Sequence, residues 1–367
     1  MNADLKHVLT HNLLNVPGWR TKRHIIVIES DDWGAIRMPS REVYEKLLSE
    51  GYRVDKKVYE SNDSLAREDD LSALFEVLYK FKDKNGNYPV ITANCVVANP
   101  DFEKIKASNY QHYYYEPITE TFKRYPGCKN SFVLWQQGMI EGLFHPQFHG
   151  REHLNVARWM NALEKDEDTR HVFDYGIMGL FPKNDNNPKN LFQIALDDKD
   201  FKMQPLNEIL KDGLDLFEKM FGYRSSTFIA PCFTWPPNIE KTLFEKGVIG
   251  LQGKLYQHSP GEKPIRHFLG TRNKWGQIYT IRNASFEPTQ GYGKDDCIYR
   301  IKCAFRWHKP AIISAHRINF IGAINEENRN KNLKNLDSLL GEVFKLWPDV
   351  EFMTSDQLVE IIKSDNK

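Results

Sequence analysis

The chain predicts an α/β fold with several parallel strands, closing into a barrel. Three observations carry this. Short apolar runs of strand length alternate with segments of helical period along the whole sequence. The first of these runs, Ile25–Ile28, ends in paired acids, which is where α/β and barrel proteins keep their sites. No internal repeat, low-complexity tract or strong linker divides the 367 residues, so a single domain over 1–367 is expected, with its core at about 20–360.

Taken in order, Ile25–Ile28 is a buried strand, being apolar on both faces. Helices follow at Glu42–Glu50, opened by Ser40 as N-cap, and at Asp70–Lys82. Asn85-Gly86-Asn87 is a turn, and Val90–Ala93 with Cys95–Val97 is strand. After an irregular aromatic stretch, Tyr110–Tyr115, a helix is expected near Phe132–Gly138. A short strand, Gly142–Phe144, then leads into a His-bearing loop, and Glu152–Glu164 is helical. Asn184–Asn190 has the composition of a surface loop. Pro205–Phe221 is an amphipathic helix, Ser226–Ala230 a strand, and Asn238–Lys246 a helix closed by Gly247 at C′. Val248–Leu251, Ile278–Ile281 and Ala311–Ser314 are further strands. Asn332–Lys345 is the last long helix and Val350–Met353 the last strand.

The bulk composition excludes several classes. Fifty basic residues face 49 acidic ones, for a net charge of +1, which leaves no electrostatic footprint for nucleic acid. No apolar run approaches the ~20 residues of a membrane helix. The N-terminus lacks a basic stretch followed by an apolar core, so no secretory signal is expected and a cytoplasmic location is. Five cysteines, an odd number with no CxxC pair, suit free thiols in a reducing compartment. Oligomeric state is left open.

The chemistry concentrates in four places. His24-Ile-Ile-Val-Ile-Glu-Ser-Asp31-Asp32-Trp33-Gly34 ends a strand in two carboxylates. Gly142-Leu-Phe-His145-Pro-Gln-Phe-His149-Gly150 offers two imidazoles. One carboxylate and two imidazoles are a common ligand set for a catalytic divalent metal. Asp32, His145 and His149 are therefore the expected ligands, leaving Asp31 free as a base. His149-Gly-Arg-Glu-His153 repeats the same spacing. The pair His145 and His149 is preferred because both follow the short strand directly, and His153 falls to the start of the next helix. Pro310-Ala-Ile-Ile-Ser-Ala-His316-Arg317 delivers a third imidazole at a strand end, suited to a general acid. Ile229-Ala-Pro231-Cys232-Phe-Thr-Trp235 is a turn whose N–H groups suit an oxyanion. Trp33 and Trp235 each adjoin a site residue and are expected to meet substrate.

In this order these residues resemble the motifs of the NodB-like polysaccharide deacetylases, carbohydrate esterase family four. The family's Thr-Phe-Asp-Asp-Gly looks like Glu29-Ser30-Asp31-Asp32-Trp33-Gly34, its His-Ser/Thr-x-x-His like His145-Pro-Gln-Phe-His149, its Arg-x-Pro-Tyr/Phe like Ile229-Ala-Pro231-Cys232, and its Leu-His like Ala315-His316. The resemblance implies a distorted (β/α)7-type barrel and metal-dependent removal of an N- or O-acetyl group from a carbohydrate. It implies Asp31 as base, Asp32 as ligand, His316 as acid and the Cys232 N–H as oxyanion donor. The chain departs from the family at Ile229, where the family has the Arg that holds the catalytic Asp. Arg317 and Arg282 are the candidates to replace it, and Arg317 is also expected to help His316 protonate the leaving group. The family's Asp-x-x-Asp-Trp region has no clear match; Arg282 and Glu287 lie in that part of the chain and are expected to meet substrate.

The expected function is that of a zinc hydrolase acting on the carbon–nitrogen bond of an acetylated sugar, with Co2+, Ni2+ or Mn2+ as alternative metals. A nucleotide- or lipid-linked sugar precursor is the substrate form that a cytoplasmic location suggests. The alternatives are hydrolysis of a non-sugar amide on the same fold, and a non-catalytic sugar-binding relative.

Overall fold

The computed structural model describes residues 3–180, 192–197 and 205–365; the expected surface loop 184–190 lies outside them. In chain order the strands are β1 (Ile25–Trp33), β2 (Ile91–Cys95), β3 (Ala98–Pro100), β4 (Tyr115–Pro117), β5 (Phe144–Phe148), β6 (Thr227–Ile229), β7 (Gly250–Gly253), β8 (Tyr256–Gln257), β9 (Ile265–Arg266), β10 (Ile278–Ile281), β11 (Ala284–Ser285), β12 (Ala311–His316) and β13 (Glu351–Phe352). The main sheet runs β10-β7-β6-β5-β2-β1-β12-β11, with β13 added beside the start of β1. Its pairings are parallel, as helical crossovers require. The fold is α/β, as expected.

The two ends of that strand path are consecutive pieces of one stretch of chain, residues 278–285. Its first half pairs with β7 and its second half with β12. The changeover falls between neighbours: the Arg282 N–H donates to Gly253 O and the Asn283 N–H donates to Ile312 O. The ladder itself is not closed at this point. Counting β10 and β11 as one position, the strands β1, β2, β5, β6, β7, β10–β11 and β12 occupy seven places around a curled sheet.

Side chains alternate across each strand. On β1, Ile26 and Ile28 point outward into the large core between sheet and helices. Ile25 and Val27 point inward, where Ile278 and Ile312 join them and Leu358, Val359 and Ile362 of the helix Ser355–Asp365 plug the ring from its N-terminal end. Above this apolar floor the inner face turns polar. Glu29, Asp31, Asn94, Gln147, Thr227 and Gln252 are all buried. They are joined by hydrogen bonds such as Asn94 Nδ2 to Gln252 Oε1 and Gln252 Nε2 to Thr227 Oγ1. Buried polar groups are tolerated only when satisfied in this way.

Of the element boundaries that differ from expectation, two matter for the site. The strand expected at Gly142–Phe144 is Phe144–Phe148, so His145 lies within it. The helix expected from Glu152 begins at Val156, because Asn155 takes the N-cap and accepts from the Arg158 N–H. His153 is thereby left in the loop before the helix. All five cysteines are unpaired.

Candidate metal and acid–base site

The C-terminal ends of β1, β5, β6, β7 and β12 and the β10–β11 stretch converge on one opening. β1 delivers both acids. In a regular strand Asp31 and Asp32 would point to opposite faces. The register of β1 against β2 slips between Ser30 and Trp33. Asp32 there adopts a left-handed backbone with φ of 71°. That conformation is uncommon for a residue with a Cβ, and Asp is among the few that tolerate it. The turn brings both carboxylates to the same pocket, each almost wholly buried.

Asp32, His149 and His153 form a compact triad whose ligand atoms all lie within 4.8 Å of one another. Asp32 Oδ1 is 3.4 Å from His149 Nε2 and 3.3 Å from His153 Nε2. His149 Nδ1 lies 2.9 Å from Ile229 O, the last carbonyl of β6, and donating to it leaves Nε2 deprotonated towards Asp32. That Nε2 is buried with no hydrogen-bond partner. Burial lowers His153 to a pKa of about 3, so its ring is neutral. Burial alone would raise Asp32, but His153 and Arg37 outweigh it and hold the carboxyl well below the usual carboxylate range. One carboxylate, two imidazoles and an unpartnered buried nitrogen fit a divalent cation.

His145 is not part of this triad. Its ring is 2.9 Å from Gln147 Nε2 and 3.3 Å from Asp356, and it stacks on Tyr223. The reason is the strand: four residues at about 3.3 Å each set His145 and His149 roughly 13 Å apart along β5. His-x-x-x-His brings two rings together on a helix, not on an extended chain. Beyond β5 the chain reverses at Gly150, φ 111°, and carries His153 back to His149, with the two ring centroids 5.1 Å apart.

Asp31 is gripped by Arg282, whose two terminal nitrogens lie 2.6 and 2.7 Å from its two oxygens. Asn94 Nδ2 adds a third bond at 2.8 Å. Burial would raise the Asp31 pKa, yet Arg282 overrides it and brings it to about 2. The Arg282 Nε donates in turn to Glu29, and Glu29 accepts from Ser355 Oγ. Of the two arginines considered for this role, Arg282 contacts Asp31 and Arg317 does not. Arg317 is wholly buried, pairs with Asp63 through two nitrogens and donates to Ala35 O. It braces the loop behind the site and is not placed to assist catalysis.

His316, at the end of β12, lies 3.8 Å from Asp31 Oδ2 through Nε2. Its Nδ1 is 2.5 Å from Glu287 Oε1, and Asn319 fixes the other Glu287 oxygen at 2.7 Å. Burial alone would lower His316, but Glu287 outweighs it and lifts the pKa to about 9. Glu287 therefore acts on His316, just as Arg282 acts on Asp31; both had been expected to meet substrate. Cys232 sits in the turn after β6 with φ of 55°, as does Phe233. It is exposed and close enough to Asp32 for that charge to act on its thiol. Consecutive left-handed residues of this kind are strained, a feature that concentrates at functional sites.

The two tryptophans are elsewhere. Trp33 is buried, donates to Ser30 Oγ and packs edge-on against Trp135 and Phe144. Trp235 is buried and donates to Glu240. Both fill core. Sequence reasoning missed Arg37, which faces Asp32 Oδ2 at 3.3 Å, and Asn94. It also gave no role to Glu29, although an acid inside an otherwise apolar strand signals a polar inner face.

No family model matches the chain, and no curated protein matches it. Among solved structures it is similar to a Mycobacterium smegmatis protein described as a polysaccharide deacetylase, at 11% identity over 95% of this chain and 94% of that one, TM-score 0.47. It is similar to the Puue allantoinase at 11% identity over 94% and 93% of the two chains, TM-score 0.46. A 4-alpha-glucanotransferase from Thermococcus litoralis matches at 10% identity over 92% of this chain, TM-score 0.47, and the chain spans 40% of that protein's length. Likeness at this level carries no argument about chemistry, which rests on the geometry above.

Proposed function

We propose that the chain is a metal-dependent hydrolase that removes an N- or O-acetyl group from a carbohydrate. One observation carries this reading: an ionised Asp31 lies beside the Asp32–His149–His153 triad on one side and within 3.8 Å of a protonated His316 on the other. A base and an acid flank one opening, the arrangement that acyl transfer to water requires. When bound by the triad, a divalent cation would polarise the acyl carbonyl and acidify a water; zinc is the metal favoured by the ligand set.

The protein's own groups do the rest. Asp31 takes a proton from the attacking water. Arg282 keeps Asp31 ionised and fixes both of its oxygens, so its direction of approach is set before substrate arrives. His316 donates a proton to the departing amine or alcohol, and Glu287 keeps it charged for that step. The Cys232 N–H, presented by the strained turn beside Asp32, is the proposed oxyanion donor. The adjoining cavity, about 830 Å³ and lined in part by Tyr59, Phe233 and Tyr292, has the size and aromatic surface for one or two sugar rings.

The test is acetate release from a panel of N- and O-acetylated sugars, with the wild type beside Asp31→Asn. The variant should retain its metal and lose turnover by about 10³-fold or more. Turnover equal to wild type in that variant would overturn the role of Asp31. Absence of acetate release from the metal-loaded wild type across the panel would overturn the deacetylase reading.

A further inference from the structure

The cavity beside His316 is unbalanced in charge. Four of the side chains lining it are Lys or Arg, and one, Glu287, is an acid. Glu287 is engaged by His316 and Asn319. Among the four cations, Arg282 is engaged by Glu29 and Asp31, and Arg300 by Asp296 at 2.6 Å. Lys254 and Arg266 have no carboxylate partner among the described residues, and each lies over an aromatic ring instead. Lys254 Nζ is 4.3 Å from the Phe233 centroid, and the Arg266 guanidinium is 4.7 Å from that of Phe268.

Their placement is set by the backbone. Lys254 follows the last residue of β7, and Arg266 lies on β9. Tyr256 and Arg266 are direct partners in the β8–β9 ribbon. The register continues one step further, where the His267 N–H donates to Leu255 O. Lys254 lies two residues before Tyr256, whose partner across the ribbon is Arg266. The ribbon thus brings the two cations to one cavity, which both of them line. Like charges held side by side repel unless an anion lies between them. Burial lowers the Lys254 pKa and Arg282 lowers it further, while Asp31 and Glu287 raise it.

We infer that Lys254 and Arg266 form a subsite for an anionic group, a phosphate or a carboxylate, carried by the substrate next to the ring that bears the acyl group. The inference rests on the hydrolase reading for what the anion is attached to, and on the two side chains alone for its charge. Phosphate and carboxylate share the chemistry that two cations recognise, and separate ligands tell them apart.

The experiment uses the full chain carrying Asp31→Asn, so that binding is measured without turnover. Calorimetric titration compares N-acetylglucosamine, N-acetylglucosamine 1-phosphate and N-acetylmuramic acid. At least one anionic ligand is expected to bind 10-fold or more tightly than the neutral sugar, and which one it is identifies the anion. Adding Lys254→Gln with Arg266→Gln should erase that preference while circular dichroism stays unchanged. Equal binding of neutral and anionic ligands, no binding of any of the three, or a preference that survives the double substitution would each overturn the subsite. Turnover by the protein without Asp31→Asn separates the two readings. A retained anion preference with no acyl release from any of the three, or from the wider panel of N- and O-acetylated sugars, removes the hydrolase and keeps the subsite. Acyl release from all three at equal kcat/KM removes the subsite and keeps the hydrolase.

Discussion

Arg282 meets Asp31 with two nitrogens on two oxygens, at 2.6 and 2.7 Å, from the β10–β11 junction 251 residues away in sequence. A planar fork on a carboxylate fixes both the charge and the orientation of the acid. Arg282→Lys keeps the charge and loses the fork. Acetate release should fall by about 100-fold, with metal content unchanged, because misdirection of a catalytic group by about 1 Å costs that order of rate. A variant of undiminished kcat would show that Asp31 needs only a nearby positive charge.

The triad makes a prediction that separates three histidines. His149→Ala and His153→Ala should purify with less than a tenth of the wild-type metal, and His145→Ala should keep it, as read by elemental analysis. Loss of metal in His145→Ala with retention in His153→Ala would restore the pairing that the sequence alone favours.

The charge on His316 depends on Glu287. Its folded pKa, about 9, lies above the ordinary value near 6.5, so the charged ring is favoured by folding. The stability it contributes is fully present below about pH 6.5 and is lost as pH rises through about 9. NMR titration of the His316 ring in chelator-treated protein should find its midpoint near 9, and Glu287→Gln should bring it down by a unit or more. An unshifted midpoint in that variant would remove Glu287 from the role given to it.

Arg317 is a stability residue. It and Asp63 are both wholly buried, so Arg317→Ala strands a carboxylate in the interior. Removing one partner of such a pair costs about 3–5 kcal/mol. The denaturant midpoint should drop accordingly, while metal content per folded chain stays at the wild-type value. A midpoint within experimental error of wild type would show that Arg37, 3.4 Å from Asp63, is sufficient counter-charge.

Strand ends were legible in the sequence, and residue contacts were not. Ile25–Ile28 and Ala311–Ser314 announce themselves as buried strands by composition, and Asp31, Asp32 and His316 follow from standing at their ends. The choice between His145 and His153 turned on a four-residue error in where β5 stops. A Pro inside Phe144–Phe148 argues against a central strand on propensity, and tertiary pairing with β2 overrides it. Trp33 misleads for a related reason: its neighbour Asp32 turns the chain, so adjacency in sequence to the site becomes burial in the core behind it. Arg282 could be named as a candidate but not chosen over Arg317, because both follow apolar strands. Only the inner-face register of the 278–285 stretch distinguishes them.

That stretch also constrains how the chain can change length. Arg282 hydrogen-bonds to one neighbouring strand and Asn283 to the other, so successive peptide groups look in opposite directions. A single residue inserted or deleted between Ile281 and Ala284 would misalign both ladders together and turn Arg282 off the inner face. Connections that carry none of the site residues can lengthen and diverge, since they hang from strands that are held on both sides. Variation in chain length among relatives of this protein is thus expected to avoid four residues, 281–284, and to collect instead in the surface connections.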